Sequence, residues 1–411
     1  MSAPALPDLD EYTATAREWL SRHLEPRPPA GDQPWGAGSD RVAVFHNFTP
    51  DEERAHIDAM RDWVRTKADA GYTAITWETE HGGAGLTADH ARAFAAEERA
   101  FKTPSAHEAV SISLELVGNT IRTCGTDEQK RRYLRPLIRC DEMWCQLMSE
   151  PGAGSDVAGL ATRAERDGDS WVVNGQKVWT SGAQFADYGY LLARTDPEAP
   201  KHKGITAFLV DMHAPGVTVR PLRQMTGGSS FNEVFFDDLR VPDDHRVGQP
   251  GDGWRIALTT LMFERTSASG GAGDGLSGMS GVLRLIRHLG VADDPIVRQL
   301  AAQLYIEQRV GGLTGARVRS ALERDEIPGP EGSTGKLLST RALLHTSELV
   351  SHLLGPSLIA DTGAWGTFAW SEYITGVPGF RIAGGTDEIQ HNIIAERVLG
   401  LPREPKSSTT S

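Results

Sequence analysis

Cysteine is scarce. The 411-residue chain has three, Cys124, Cys140 and Cys145, and no Cys-x-x-Cys pair among them, which argues against a disulfide framework and against a thiolate zinc site. No run approaches the roughly 18 consecutive apolar residues of a membrane span. The acidic opening MSAPALPDLDEYTATAREWL lacks the uninterrupted apolar stretch of a secretion signal. Positive charge is in deficit: 42 Lys and Arg stand against 55 Asp and Glu, a net -13. That balance argues against nucleic acid and anionic membrane surfaces as partners, though local backbone donors and a few Arg can still hold an anionic ligand. Internal repeats, low-complexity segments, a P-loop and a G-x-G-x-x-G opening a helix are all absent. These absences leave a soluble, cytoplasmic protein as the expectation, long enough for two or three domains.

Helical signals come first. Leu9, Tyr12, Ala16, Trp19 and Leu20 form an apolar stripe, and Thr49-Pro-Asp-Glu52 is a capping box with Pro at the first helical position. Ile57, Met60, Trp63 and Val64 follow on one face. Gly125-Thr-Asp-Glu128 opens another helix, with Tyr133, Leu134 and Leu137 facing inward. Near Met143 the pattern changes. Asn174-Gly175, inside Trp171 to Trp179, predicts a hairpin between two short strands. Further strands are expected at Tyr188 to Ala193, Ile205 to Val210, Val217 to Pro221 and Val234 to Phe236. After Pro250-Gly-Asp-Gly253 helical spacing returns, over 254–267, 295–324 and 335–354. The glycine-rich Ser267 to Gly275 reads as a helix break and Ser407 to Ser411 as a frayed tail. The expected domains are helical over 1–140, β over 141–245 and helical over 246–411.

Two loops stand out. In Cys145-Gln-Leu-Met-Ser-Glu-Pro-Gly-Ala-Gly-Ser-Asp156 an apolar strand ends at Ser149, and a loop of little bulk exposes backbone N–H groups beside the hydroxyls of Ser149 and Ser155. It can hold a carbonyl- or phosphate-bearing ligand, or be an ordinary Gly turn. In Arg381-Ile-Ala-Gly-Gly-Thr-Asp-Glu-Ile-Gln390, Thr386 suits an N-cap, and Asp387 and Glu388 suit the positive end of a helix. Gly384 and Gly385 either make a turn into a capped helix or let a ligand approach bare N–H groups.

Together these runs resemble the acyl-CoA dehydrogenase family. The resemblance rests on Ser149 to Asp156; on Asn174-Gly-Gln-Lys-Val-Trp-Thr-Ser181; on Phe231-Asn-Glu-Val-Phe-Phe-Asp-Asp-Leu-Arg-Val-Pro242; on Gly384-Gly-Thr-Asp-Glu-Ile-Gln390; and on Gly71-Tyr-Thr-Ala-Ile-Thr-Trp-Glu-Thr-Glu-His-Gly-Gly83. These signatures follow the family's order between about residues 50 and 403. The resemblance implies an α+β chain: a helical N-terminal domain, a middle β-barrel domain and a C-terminal four-helix bundle. It also implies bound FAD and a homotetramer or homodimer whose FAD sites are completed by a neighbouring subunit. Leu147, Met148 and Ser149 match the segment along the flavin ring. Trp179 and Ser181 match the residues that pack and hydrogen-bond beside it, with Thr180 between them. Thr386 matches a FAD-contacting threonine, and Gly385 and Glu388 are grouped with it in the cofactor site. Ser155 matches a contact to acyl-CoA. An isolated Trp on a strand is ordinarily a core aromatic; the surrounding motif shifts Trp179 to the flavin wall.

At Gly384 the chain departs from the pattern. Many family members carry there the glutamate that takes the α-proton of the thioester, and glycine has no such group. Glu264, in Thr260-Leu-Met-Phe-Glu-Arg265, resembles the base that isovaleryl- and long-chain-type members supply from this helix. Arg265 beside it is grouped with the substrate. The ordinary fate of a helix glutamate is solvation, but the loss at Gly384 favours Glu264 as the base, in an apolar pocket that raises its pKa. Gly384 keeps a backbone N–H for the thioester oxygen. The resemblance thus implies FAD-dependent conversion of an acyl-CoA or acyl-carrier thioester to the trans-2-enoyl thioester, a reaction of lipid metabolism, with electrons passing to an electron-transfer flavoprotein. Two alternatives share the fold: a flavin monooxygenase or oxidase, and a non-catalytic partner subunit of a heteromer. His288 to Arg298 lacks the family's Arg-x-x-Phe-Gly, and Leu353-Leu-Gly-Pro-Ser357 replaces its Gly-Gly-x-Gly, so the dinucleotide end of FAD is expected to be held differently.

Overall fold

In a computed structural model the described residues are 6–27, 34–267, 276–323 and 332–403. The expected break after Ser267 and the tail from Ser407 lie outside them. The chain divides into two compact units. One is drawn from residues 1–29, 48–224 and 228–263, the other from 30–47, 225–227 and 264–411. The first unit therefore contains both the N-terminal helices and the strands.

Helices α1 (Leu9–His23), α2 (Pro50–Asp69) and α3 (Ala88–Glu98) open the first unit. The capping box that starts α2 is formed: Glu52 N–H donates to Thr49 Oγ1 at 3.3 Å and Thr49 N–H to Glu52 Oε2 at 2.9 Å. Next come α4 (Glu108–Ser111) and α5 (Asn119–Cys124), joined through a π-helical turn at Ile112–Gly118, and then α6 (Asp127–Ile138). The strands are β1 (Trp144–Leu147), β2 (Arg163–Asp167), β3 (Ser170–Ser181), β4 (Tyr188–Arg194), β5 (Ile205–Asp211), β6 (Val217–Leu222), β7 (Phe231–Pro242) and β8 (Arg246–Val247). They form one mixed sheet in the order β6-β7-β3-β2-β4-β5-β8, with β1 parallel to β4. Strands β4 and β5 are buried on both faces and so read as continuous apolar runs. Tyr190, Leu192, Ala207 and Leu209 join a core with Val117, Ile121, Leu134 and Leu137 of the helical layer. Leu191, Ala193, Phe208 and Val210 join a second core with Val173, Val234 and Leu239.

The hairpin expected at Asn174-Gly175 is not there. Strand β3 runs straight through that pair. The two-residue turn is Gly168-Asp169, because Asp167 pairs with Ser170 between β2 and β3. Asn174 instead exchanges side-chain bonds with Asp238 across the sheet, both at 2.9 Å. Gly175 sits where the β3–β7 register shifts, and a Cβ there would lie 2.5 Å from Thr162 Oγ1. The Asn-Gly pair thus serves a bulge and a close approach.

Helix α7 (Gly253–Ser267) spans the boundary, so Glu264 belongs to the second unit. There α8 (Met279–His288), α9 (Pro295–Glu323), α10 (Gly332–Leu354) and α11 (Ala369–Phe380) pack around Val282, Leu285, Leu304, Leu349, Trp370 and Val377. The short α12 (Asp387–Ile393) follows. An early segment of chain is built into this unit. Trp35 stacks on His288, Val42 enters the core, and Phe45 stacks on Phe380.

The three thiols differ in access. Cys140 and Cys145 are buried and Cys124 is half-buried; burial pushes the Cys140 thiol up to about 12 and raises that of Cys145 as well. Native protein at pH 8 should therefore be alkylated at Cys124 alone, and denatured protein at all three. Mass spectrometry showing Cys145 labelled as fast as Cys124 in native protein would contradict this burial.

Candidate functional site

The motif residues gather into two clusters, one in each unit. In the first unit β1 ends at Leu147. Leu147 and Met148 are buried and Ser149 is half-buried. The turn beyond is closed by reciprocal backbone bonds between Glu150 and Ala153, 3.0 and 3.1 Å, and Ser155 is exposed past it. Val178 N–H donates to Ser149 O at 2.9 Å, which ties the end of β1 to β3 one residue before Trp179. Ser149 N–H itself has no acceptor among the described residues.

Trp179 is 61% exposed and has φ 61°. The left-handed backbone coincides with a register shift between Lys177 and Thr180 against β7, and the ring of Phe231 meets the indole edge-to-face, centroids 6.0 Å apart. A bulky residue in that conformation is strained. Thr180 turns inward: its side chain is buried, its Oγ1 has no partner among the described residues, and its carbonyl accepts from Asn232 Nδ2 at 3.0 Å. Ser181 is half-buried. An exposed indole on β3 and an unmatched amide N–H just past the end of β1 suit a flat ring with a polar edge, which is what a flavin requires.

Beneath these residues lies a feature that sequence reasoning missed. Lys177 is fully buried; its Nζ donates to Met148 O at 3.1 Å and to Glu150 Oε1 at 2.7 Å. Glu150 also accepts from Ala161 N–H at 2.6 Å and Thr162 N–H at 2.9 Å. Burial draws the ammonium down to about 8 against the pull of Glu150. Burial also raises the carboxyl, but the Lys177 charge and the hydrogen bonds outweigh it and leave Glu150 below its ordinary value. The short contact and the two backbone donors on Glu150 give the pair the geometry of an ion pair.

In the second unit Gly384 and Gly385 have φ 63° and 83°. Gln390 Nε2 donates to both their carbonyls, at 3.0 and 3.3 Å, and Gly384 N–H has no acceptor among the described residues. Thr386 caps α12, accepting from Ile389 N–H at 3.2 Å. Asp387 is buried and accepts from Lys336 Nζ, Arg381 Nε and Thr340 Oγ1 at 2.7, 2.9 and 3.0 Å, so it anchors the turn. Glu388 is exposed, with its carboxyl lowered by hydrogen bonds at the helix start. Glu264 is half-buried on α7, and a Cβ built on Gly384 would lie 3.3 Å from its Oε1. The structure thus brings Glu264 and Gly384 together: a carboxylate beside an unmatched amide N–H. The side chain of Arg265 lies outside the described residues. Among the described residues no cluster of His, Cys, Asp and Glu suits a metal ion, and no helix is long and apolar enough to cross a membrane.

Comparison with known proteins agrees with this layout. Family models for the acyl-CoA dehydrogenase N-terminal, middle and C-terminal domains match residues 44–141, 145–239 and 251–399. The chain is 38% identical over 407 residues to "Acyl-CoA dehydrogenase IpdE1" of Mycobacterium tuberculosis, covering 97% of this chain and 99% of that protein. Among solved structures it is similar to the ChsE4-ChsE5 complex from Mycobacterium tuberculosis, with TM-score 0.73 and 28% identity over 98% of this chain and 100% of that one. It is also similar to the Tcur3481-Tcur3483 steroid ACAD, with TM-score 0.72 and 27% identity over 98% and 100%.

The exposure and left-handed φ of Trp179 carry a stability expectation. Trp179→Gly should leave the unfolding free energy unchanged or raise it by up to about 1 kcal/mol, since glycine relieves the strained backbone and little packing is lost. Chemical denaturation checks this; a loss above about 2 kcal/mol would show that the indole packs in the folded chain.

Proposed function

The chain belongs to the acyl-CoA dehydrogenase family, an oxidoreductase family acting on CH–CH bonds, and from that premise we propose that it desaturates an acyl thioester at its α and β carbons with Glu264 as the base. The observation that carries the proposal is the 3.3 Å between Glu264 Oε1 and the place a side chain at 384 would start. The carboxylate on α7 thus lies beside the position whose side chain is missing. Gly384 N–H donates to the thioester oxygen and acidifies the α-carbon, and Glu264 takes the α-proton. Bound FAD supplies the acceptor for the β-hydride. Leu147 to Ser149 and Trp179 to Ser181 hold its ring, Gly385, Thr386 and Glu388 belong to its site, and Ser155 and Arg265 serve the thioester.

The room left by glycine at 384, together with a structural neighbour that is named a steroid ACAD, favours a bulky acyl group over a short straight chain. Anaerobic titration with a panel of acyl-CoA and acyl-carrier thioesters, read by flavin bleaching, ranks the substrates. The electron acceptor in this reading is an electron-transfer flavoprotein. The protein works as an oligomer: Ile306, Val310 and Leu313 form an exposed apolar stripe at helical spacing on α9. Both structural neighbours carry two-part names, Tcur3481-Tcur3483 and ChsE4-ChsE5, which favours a heteromer as the second reading beside a homo-oligomer. Light scattering of the protein alone, and with a co-expressed paralogue, separates the two.

Glu264→Gln should retain FAD and thioester binding while flavin reduction falls about 10²- to 10⁴-fold. Reduction at the wild-type rate would remove Glu264 from the mechanism and favour the oxidase or monooxygenase reading, to be checked by oxygen consumption. Gly384→Ala should fold with a stability loss of about 1–2 kcal/mol from its left-handed backbone. The double change Glu264→Gly, Gly384→Glu should recover part of the activity lost in Glu264→Gly.

A further inference from the structure

Lys177 has no place in the chemistry above, yet it is a fully buried charge. Placing an ammonium out of water costs several kcal/mol, and a buried ion pair is often no more stable than a well-packed apolar pair. Its partners point to what it does. One donor goes to Glu150 Oε1, on a carboxylate that the backbone N–H groups of Ala161 and Thr162 hold in place. Another goes to Met148 O. In a trans peptide the C=O and the following N–H point in opposite directions. An ammonium that fixes Met148 O inward therefore directs Ser149 N–H away from the buried charge. That N–H has no acceptor among the described residues, while Ser149 O is held by Val178 N–H. Both peptides flanking Ser149 are fixed, and one donor is left over.

Resting on the flavin reading above, we propose that Lys177, anchored by Glu150, is a positioning residue: it sets the Met148–Ser149 peptide so that Ser149 N–H is presented to the polar edge of the bound flavin ring. The pair thereby links the two motif segments of the first unit, since Glu150 lies in the turn after β1 and Lys177 on β3.

The test removes both charges at once, so that neither group is left buried and unpaired. Lys177→Met/Glu150→Gln loses the donor to Met148 O. Lys177→Gln/Glu150→Gln has the same net charge and keeps an amide donor. Each full-length protein is loaded with FAD, and release on dilution is followed by the recovery of flavin fluorescence, alongside thermal unfolding. With melting temperatures alike, the Met variant should bind FAD about tenfold more weakly, the worth of one misdirected hydrogen bond, and the Gln variant should regain most of the loss. A folded Met variant whose FAD affinity stays within about twofold of wild type overturns the proposal. Should the Met variant fail to fold, the Gln variant decides: it keeps an amide donor to Met148 O and should hold FAD within a few-fold of wild type, so a loss of about tenfold there at an unchanged melting temperature overturns the proposal. Wild-type protein that takes up no FAD overturns the flavin reading itself, and this inference with it.

Discussion

Strand β4 has almost no solvent face. Its alternate side chains enter two different cores, Tyr190 and Leu192 in one and Leu191 and Ala193 in the other. A slip of one residue would exchange them and spoil both. This constraint fixes β5 through a seven-residue antiparallel register and β1 through a parallel one. Since β1 ends at Leu147, the loop from Met148 to Ser155 starts from a position that β4 has already determined. The candidate residues from Met148 to Ser155 are thus placed by a rigid strand, although they lie on a turn, which is the usual division between scaffold and function.

In the proposed reaction the second unit divides one task between two chemical groups. A glutamate at position 384 would unite proton acceptor and amide donor in a single residue. Here the proposed acceptor, Glu264, stands on α7, and the amide proposed as donor remains on a glycine whose carbonyl is tied to Gln390. Asp387, held by Lys336, Arg381 and Thr340, keeps the turn in place. The turn is therefore specified by side chains outside the reaction, and the position itself is left without bulk.

Much of this was legible in the sequence because local rules and tertiary structure agree. The capping box at Thr49, the apolar runs of β4 and β5, and Thr386 as N-cap are all formed. The family and its α+β organisation followed from motif order, and the proposal that Glu264 takes the role missing at Gly384 began from position within those motifs. Asn174-Gly175 misled because a dipeptide suited to a tight turn is equally suited to a bulge, and only the neighbouring Thr162 decides between them. Lys177 went unread although its parity on β3 matches buried Trp171 and Val173. A lysine is ordinarily taken as solvated, and its partner Glu150 lies in a different motif. The left-handed backbone at Trp179 has no local sequence signal, since bulky residues rarely adopt it.

The segment around Trp35, Val42 and Phe45 has a bearing on how the chain is made. It sits in the second unit, with Trp365 Nε1 bonded to Gly38 O and Asn47 Nδ2 bridging Thr226 O and Glu372 Oε1. On a ribosome these residues emerge long before helices α8 to α11 exist to receive them, and most of the first unit, from residue 48 to 263, is synthesised in between. Their apolar surface must wait for the C-terminus, so the last helices out of the tunnel close over some of the first residues made. Such a unit cannot mature by vectorial addition. Its assembly is a late, long-range event, of the kind that makes folding slow and exposes partly built chains to aggregation.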